Sequence, residues 1–202
     1  VVGVQHRQCR RSRRLAESAK ATTCDLSAYG AVYACGTAYK KSPNWYSECY
    51  VKRDNNNQRI CGPQCTVAAG EKQCVTIQGK KVTTDMACWF KDLSDAATAA
   101  GATVKLNQGF RVMADQEHFY DCWKSAGAGN DRNGQACNGQ KSLAACPGTS
   151  NHQSGTALDI ATGVVRCKSC SKGYQSEASL DTASTQAIGN LYKWLRTNAW
   201  KY

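Results

Sequence analysis

The stretch Ser150 to Ile160, SNHQSGTALDI, places a histidine and an aspartate seven residues apart. Imidazole nitrogen and carboxylate oxygen are both zinc-ligand chemistry, and a hydrolytic zinc takes three protein ligands and keeps its fourth position for water. His152 and Asp159 would supply two of the three. The sequence holds only two other histidines, His6 and His118. A turn followed by a strand can bring His152 and Asp159 to one ion, and Gly155 with the small residues Ser154, Thr156 and Ala157 permits the close approach this needs. Taken alone, a histidine beside a glycine turn is an ordinary polar loop residue, so its weight depends on the elements around it.

Those elements are legible from about residue 82 onward. TDMACWFKDLSDAATAAG, from Thr84, carries apolar Met86, Trp89, Phe90, Leu93, Ala97 and Ala100 at helical spacing behind an N-cap at Thr84 or Asp85, with Gly101 as the stop. ATVKLNQGF alternates Val104, Leu106 and Gln108 against Thr103, Lys105 and Asn107 and reads as a strand ending at Gly109. A second helix is expected from about Ala114 to Ser125. Residues 127–139, GAGNDRNGQACNG, read as a long loop. GTALDIATG reads as a short strand, and TASTQAIGNLYKWLRTNAW as a final helix with Ile188, Leu191, Tyr192 and Leu195 on one face. Before residue 82 the texture differs. Residues 1–20 form a basic arm, and residues 21–81 a cysteine-dense, turn-rich region of expected short strands and loops, with turns at DNNNQ (Asp54–Gln58) and CGPQC (Cys61–Cys65). No internal repeat is visible.

GFRVMADQ at Gly109–Gln116, followed by PGTSNHQSGTALDI at Pro147–Ile160, resembles the zinc D-alanyl-D-alanine carboxypeptidases and related peptidoglycan peptidases of the Hedgehog-type zinc peptidase fold. Their signature is G-[FY]-R with a downstream glutamine, then S-x-H-x-x-G-x-A-x-D. The resemblance spans residues 82–202. It implies an α+β fold with helices packed on one side of a small antiparallel sheet and a zinc in the sheet's cleft. It makes His152 and Asp159 the zinc ligands, Arg111 the catalytic cation that helps bind substrate and stabilise the oxyanion, and Ser150 and Gln116 the groups that hold the peptide. The implied substrate is the D-Ala-containing stem peptide of bacterial peptidoglycan, cut by a carboxypeptidase or an endopeptidase.

In that family a C-terminal E-P-W-H segment supplies the general base and the third zinc ligand, after a helix resembling LYKWLRTNAWKY. The sequence reaches Tyr202 where that segment is expected to begin. Three readings stay open: the segment continues past this sequence, His118 or His6 substitutes, or the scaffold is a degenerate one that binds wall fragments or a partner without cutting them. His118, beside Phe119 and Tyr120, reads more simply as a helix-surface or packing residue. The different-class alternative is therefore a non-catalytic, cysteine-rich secreted binding or structural protein.

Composition agrees with a secreted, globular chain. Thirteen cysteines among 202 residues imply disulfides and an oxidising compartment. The odd number leaves at least one thiol free, bonded to another chain, or paired beyond this sequence. The close pairs Cys61/Cys65 and Cys167/Cys170 are read as disulfide cysteines in preference to structural zinc ligands. No leader-like apolar stretch opens the sequence, which reads as a mature form, and no run reaches membrane-spanning length. The formal charge of +11 is partly a tail, since the first twenty residues hold six basic residues and one acidic residue. No nucleic-acid motif accompanies it, and an anionic cell wall is the better partner. RSRR at Arg11–Arg14 reads as a processing site or as a solvated arm. Of the tryptophans, which could stack on sugars, Trp89 and Trp194 are assigned to the core; the acidic residues Asp115, Glu117 and Asp121 are assigned to a solvated helix face.

Overall fold

The structure, a computed structural model, describes residues 24–161 and 186–202. The basic arm, Gln175–Ser179, and Cys9, Cys167 and Cys170 lie outside the described residues. The architecture is α+β: β1 (Tyr33–Lys41), β2 (Thr66–Ile77) and β3 (Lys80–Thr83) form an antiparallel sheet in sequence order, and β4 (Lys105–Gln108) pairs with β5 (Asp159–Ala161). The helices are α1 (Thr84–Ala99), α2 (Met113–Lys124) and α3 (Gln186–Asn198). Two compact units emerge. One combines residues 31–83 with 106–160; the other draws on 24–30, 84–105 and 186–202. They interleave along the chain.

The strands between residues 21 and 81 are longer than the short pieces expected. β1 runs for 9 residues and β2 for 12. Two register shifts, between Ala34 and Gly36 and between Thr37 and Tyr39, let the pair stay hydrogen-bonded along this length while twisting. Gln78 and Gly79, with φ of 49° and 75°, make the two-residue turn into β3 whose positive angles suit right-twisted strands.

Among the described residues, five disulfides replace much of what a larger apolar core would supply: Cys24–Cys88, Cys35–Cys74, Cys49–Cys65, Cys61–Cys146 and Cys122–Cys137. Cys61 and Cys65, close in sequence, thus reach different partners. Cys49, Cys65 and Cys146 are buried with Trp45 and Tyr120, while Cys35 and Cys74 pack with Ala38 and Phe110. Sulfur and aromatic rings make favourable, adaptable contacts, which suits a core assembled from loops. Trp45 is the tryptophan buried most completely, and Trp200 stands exposed. On α1 the buried residues are Ala87, Cys88, Phe90, Leu93 and Ala97, so the stripe is shifted toward the bridge to Cys24 relative to the apolar spacing.

The Cys61–Cys146 bridge closes a sequence separation of 85 residues, just ahead of the histidine motif. Chain-entropy arguments give such a closure about 4.5 kcal/mol. The double variant Cys61→Ala/Cys146→Ala should therefore lose about that much unfolding free energy in urea. A loss within error of zero would remove this bridge from the stability account.

One internal repetition escaped sequence reading because only five residues carry it. In DNNNQ, Asp54 Oδ1 accepts the N–H groups of Asn56 and Gln58. In DRNGQ, Asp131 Oδ1 accepts those of Asn133 and Gln135. Each loop is closed by a bridge between its flanking residues, Arg53 with Arg59 and Asn130 with Ala136.

Candidate active site

β4 delivers Gly109 and Arg111 beside the edge of β3. The Phe110 N–H donates to the Lys81 carbonyl at 2.7 Å, and a Cβ on Gly109 would lie 2.1 Å from that same carbonyl oxygen. Only glycine permits this approach. The histidine motif is a coiled turn in which Gln153 and Ser154 N–H both donate to the Ser150 carbonyl, and Thr156 N–H to Asn151. Its fold-back is made by Gly155, with φ of 73°.

The two motif segments are joined directly. Arg111 N–H donates to the His152 carbonyl at 3.2 Å, and the His152 ring lies with Nδ1 2.8 Å from the Gly109 carbonyl. A carbonyl can only accept, so Nδ1 carries a proton, and Nε2 is the ring nitrogen turned away from the backbone. Nε2 lies 3.4 Å from Asp159 Oδ2. The ring is largely enclosed, while the carboxylate stands half exposed. The arrangement anchors one imidazole nitrogen and leaves the other as a donor, the way metal-ligating histidines are oriented.

Arg111 is half-buried, with its guanidinium 4.4 Å from the Phe119 ring centroid. One nitrogen donates to Gln116 Oε1 at 2.6 Å and another to Gln108 Oε1. Burial draws its pKa down, while Asp159 and Asp115 act to raise it. Arginine still remains cationic at any physiological pH. Gln116 is fully buried, and its amide nitrogen donates to the Ala145 carbonyl at 2.8 Å. Both ends of its amide thus serve the protein. Ser150 is buried, and its Oγ accepts the His152 N–H at 3.3 Å.

His118 stands elsewhere. Its Nδ1 lies 2.8 Å from Asp131 Oδ2 and its ring meets the Cys122 sulfur. Burial acts to raise the Asp131 pKa, but the N–H groups of Gln135 and Asn133, together with His118, hold it below the usual carboxylate range. His118 is thus a ring in a polar network, not a third ligand beside His152. Among the described residues no three His, Cys, Asp or Glu side chains converge on a metal position.

Three supporting residues carried no signal of their own in the sequence. Gln108 sits three positions before Arg111 and takes one end of its guanidinium. Gln153 is fully buried; its Oε1 accepts Gly148 N–H at 2.6 Å and its carbonyl accepts Tyr39 N–H at 2.9 Å. Thr83, at the end of β3, donates its hydroxyl to the Gly155 carbonyl at 2.9 Å. A Cβ on Gly155 would lie 2.6 Å from Thr83 Cγ2, on top of the left-handed backbone angle. Gly155→Ala should therefore cost about 2–4 kcal/mol, combining the left-handed penalty with overpacking, read as a lower urea midpoint. A change below about 1 kcal/mol would mean that the turn relaxes freely.

A family model described as D-alanyl-D-alanine carboxypeptidase (VanY) matches residues 79–202. The chain belongs to that family. No curated protein matches it. A solved structure similar to part of it is a vancomycin resistance D,D-pentapeptidase VanY from a VanB-type resistance cassette, in complex with Zn(II), with 23% sequence identity and a TM-score of 0.35. That alignment covers 63% of this chain and 62% of the other, so the chain spans under two thirds of that relative.

Proposed function

We propose that the protein is a secreted zinc peptidase that hydrolyses D-Ala-containing stem peptides of bacterial peptidoglycan. The observation that carries this is the pairing of His152 Nε2 with Asp159 Oδ2 at 3.4 Å, with Nδ1 committed to the Gly109 carbonyl. Two ligands, each roughly 2.0–2.1 Å from a tetrahedral zinc, stand about 3.3 Å apart, so the donor set fits the ion. When bound, zinc would polarise the scissile carbonyl and lower the pKa of a water.

The chain's own residues supply the rest. Arg111 offers fixed charge to the oxygen that becomes negative as the peptide bond is attacked, and it binds substrate beforehand. Gln116 and Gln108 hold that guanidinium in place, which gives Gln116 a positioning role through Arg111 in place of direct contact with the peptide. Ser150 accepts from the His152 backbone and keeps its own hydroxyl proton for a substrate carbonyl. Among the described residues no third His, Cys, Asp or Glu side chain joins His152 and Asp159. Five disulfides support an oxidising, extracellular setting. Among the described residues, no helix is long and apolar enough to cross a membrane.

The test is release of D-alanine from a soluble pentapeptide ending in D-Ala-D-Ala, followed with and without a chelator and after adding zinc back. Chelator-sensitive, zinc-restored release is expected. Zinc-independent release, or none from the full-length protein with zinc bound, would overturn the reading.

A further inference from the structure

Beside the candidate active site, α2 presents another face to a groove of about 730 Å3. Met113, Glu117, Tyr120, Asp121 and Lys124 recur at helical spacing along one wall, whereas Gln116 and Phe119, around the helix, meet Arg111. The facing wall comes from the cysteine-rich segment, chiefly Asp54 and the run from Arg59 to Pro63. Most of that wall precedes residue 79, where the family match begins. The groove is therefore built jointly by the family domain and by a segment to which the proposed peptidase chemistry assigns no task.

Its charges decide what could bind. Asp54, Glu117 and Asp121 balance Arg59, Lys124 and Arg132, three against three. Arg132 bonds Asp121 through two nitrogens, both at 2.7 Å, and reaches Glu117 at 3.2 Å. Lys124 stands 3.9 Å from Asp54, and Arg59 lies 4.5 Å from the Tyr50 ring centroid. An ionic ligand would meet no net field and would have to displace a resident partner. A neutral polyhydroxyl ligand need not: each hydroxyl donates to an unused carboxylate lone pair and accepts from an unused guanidinium or ammonium N–H.

The rim supplies the second half of that chemistry. Beyond Arg59 the surface carries Tyr46, Tyr50, Val51 and Ile60, four of the seven exposed large hydrophobic residues among those described. Tyr46 and Tyr50 are 68% and 42% exposed, with ring centroids 5.2 Å apart. A clustered apolar patch continuous with a polar groove marks a binding surface. Sugar rings, with apolar C–H faces and polar edges, match tyrosine faces next to a hydroxyl-binding groove. Trp45, the tryptophan nearest in sequence, is buried and takes no part.

We infer that this groove and its tyrosine rim bind a neutral oligosaccharide, and that the occupant is the glycan strand to which the stem peptides are attached. The second clause rests on the peptidase reading above; the first does not. The test is calorimetric titration of the full-length protein with three probes: peptidoglycan glycan strands freed of peptide and with their lactyl carboxylates capped as amides, so that the strand stays neutral, chitohexaose, and a free stem pentapeptide. The glycan strands should bind with a dissociation constant below about 1 mM. Tyr46→Ala, which removes the more exposed ring, should weaken binding about tenfold, as should Arg132→Ala with Asp121→Ala. Binding of chitohexaose alone would keep a saccharide site and overturn its assignment to peptidoglycan. No saccharide binding at about 10 mM would overturn the inference, whereas pentapeptide binding belongs to the neighbouring site and leaves it standing. D-alanine release by the same preparation separates the two readings. Release without glycan binding sinks only this one, and glycan binding without release sinks only the peptidase.

Discussion

His152→Ala should lose bound zinc and D-alanine release together in the full-length protein. Two links of the structure pass through this one ring. Its Nδ1–H is fixed by the Gly109 carbonyl, and its Nε2 is the donor facing Asp159. Removing an outer partner of a metal ligand already costs roughly 10–100-fold in affinity or activity, so removing the ligand should cost more, on the order of 10³-fold or beyond. The fold should survive. The turn that carries His152 is made by backbone bonds from Gln153, Ser154 and Thr156, by Gln153's buried amide and by the Thr83 hydroxyl on Gly155, none of which uses the imidazole. Zinc content by mass spectrometry, D-alanine release and the urea midpoint read the three effects separately. Turnover that persists in this variant would end the metallopeptidase assignment.

How far the sequence carried this site depends on the range of the forces involved. α1, β4 and α2 were legible because apolar periodicity and turn residues act locally; they appear within a residue or two of where Thr84, Val104, Leu106 and Ala114 place them. The order of the two motifs singled out His152, Asp159 and Arg111 as candidates, but not how they meet. Gly109 shows why: its need for zero side chain comes from Lys81, 28 positions earlier, whose carbonyl accepts the Phe110 N–H. Disulfide pairing was illegible for the same reason. Cys61 and Cys65 are four residues apart, yet the fold sends one to Cys146 and the other to Cys49. The long β1–β2 pairing was hidden in a region whose glycines, asparagines and cysteines look like loop. Glu117 and Asp121 read as a solvated acidic face until Arg132, from the following loop, bonded to both.

Arg111→Ala should leave zinc in place and lower turnover by about 10²–10³-fold, the range found when one preorganised donor to a developing oxyanion is removed. The effect should fall on kcat more than on KM if the cation acts mainly on charge that appears in the transition state. Zinc affinity should not fall, because Arg111 bonds the His152–Asp159 pair through its backbone N–H to the His152 carbonyl, which alanine keeps, and the guanidinium lost from the neighbourhood of Asp159 is a cation that competes with the metal. Stability will fall modestly for a different reason. Gln116 Oε1 is fully buried and loses the guanidinium that donates to it, which costs about 1–3 kcal/mol for an unsatisfied group. Arg111→Lys should rescue little. A single ammonium cannot at once reach Gln108 and Gln116 and lie flat against Phe119, as the planar fork does. Gln116→Leu is the informative companion: it removes one anchor of the fork without removing the charge, and should produce a smaller fall in kcat with zinc content unchanged. An Arg111→Ala protein that stays folded, keeps its zinc and hydrolyses the pentapeptide at the wild-type rate would show that the guanidinium, though held by three side chains beside the metal pair, does not act on the substrate.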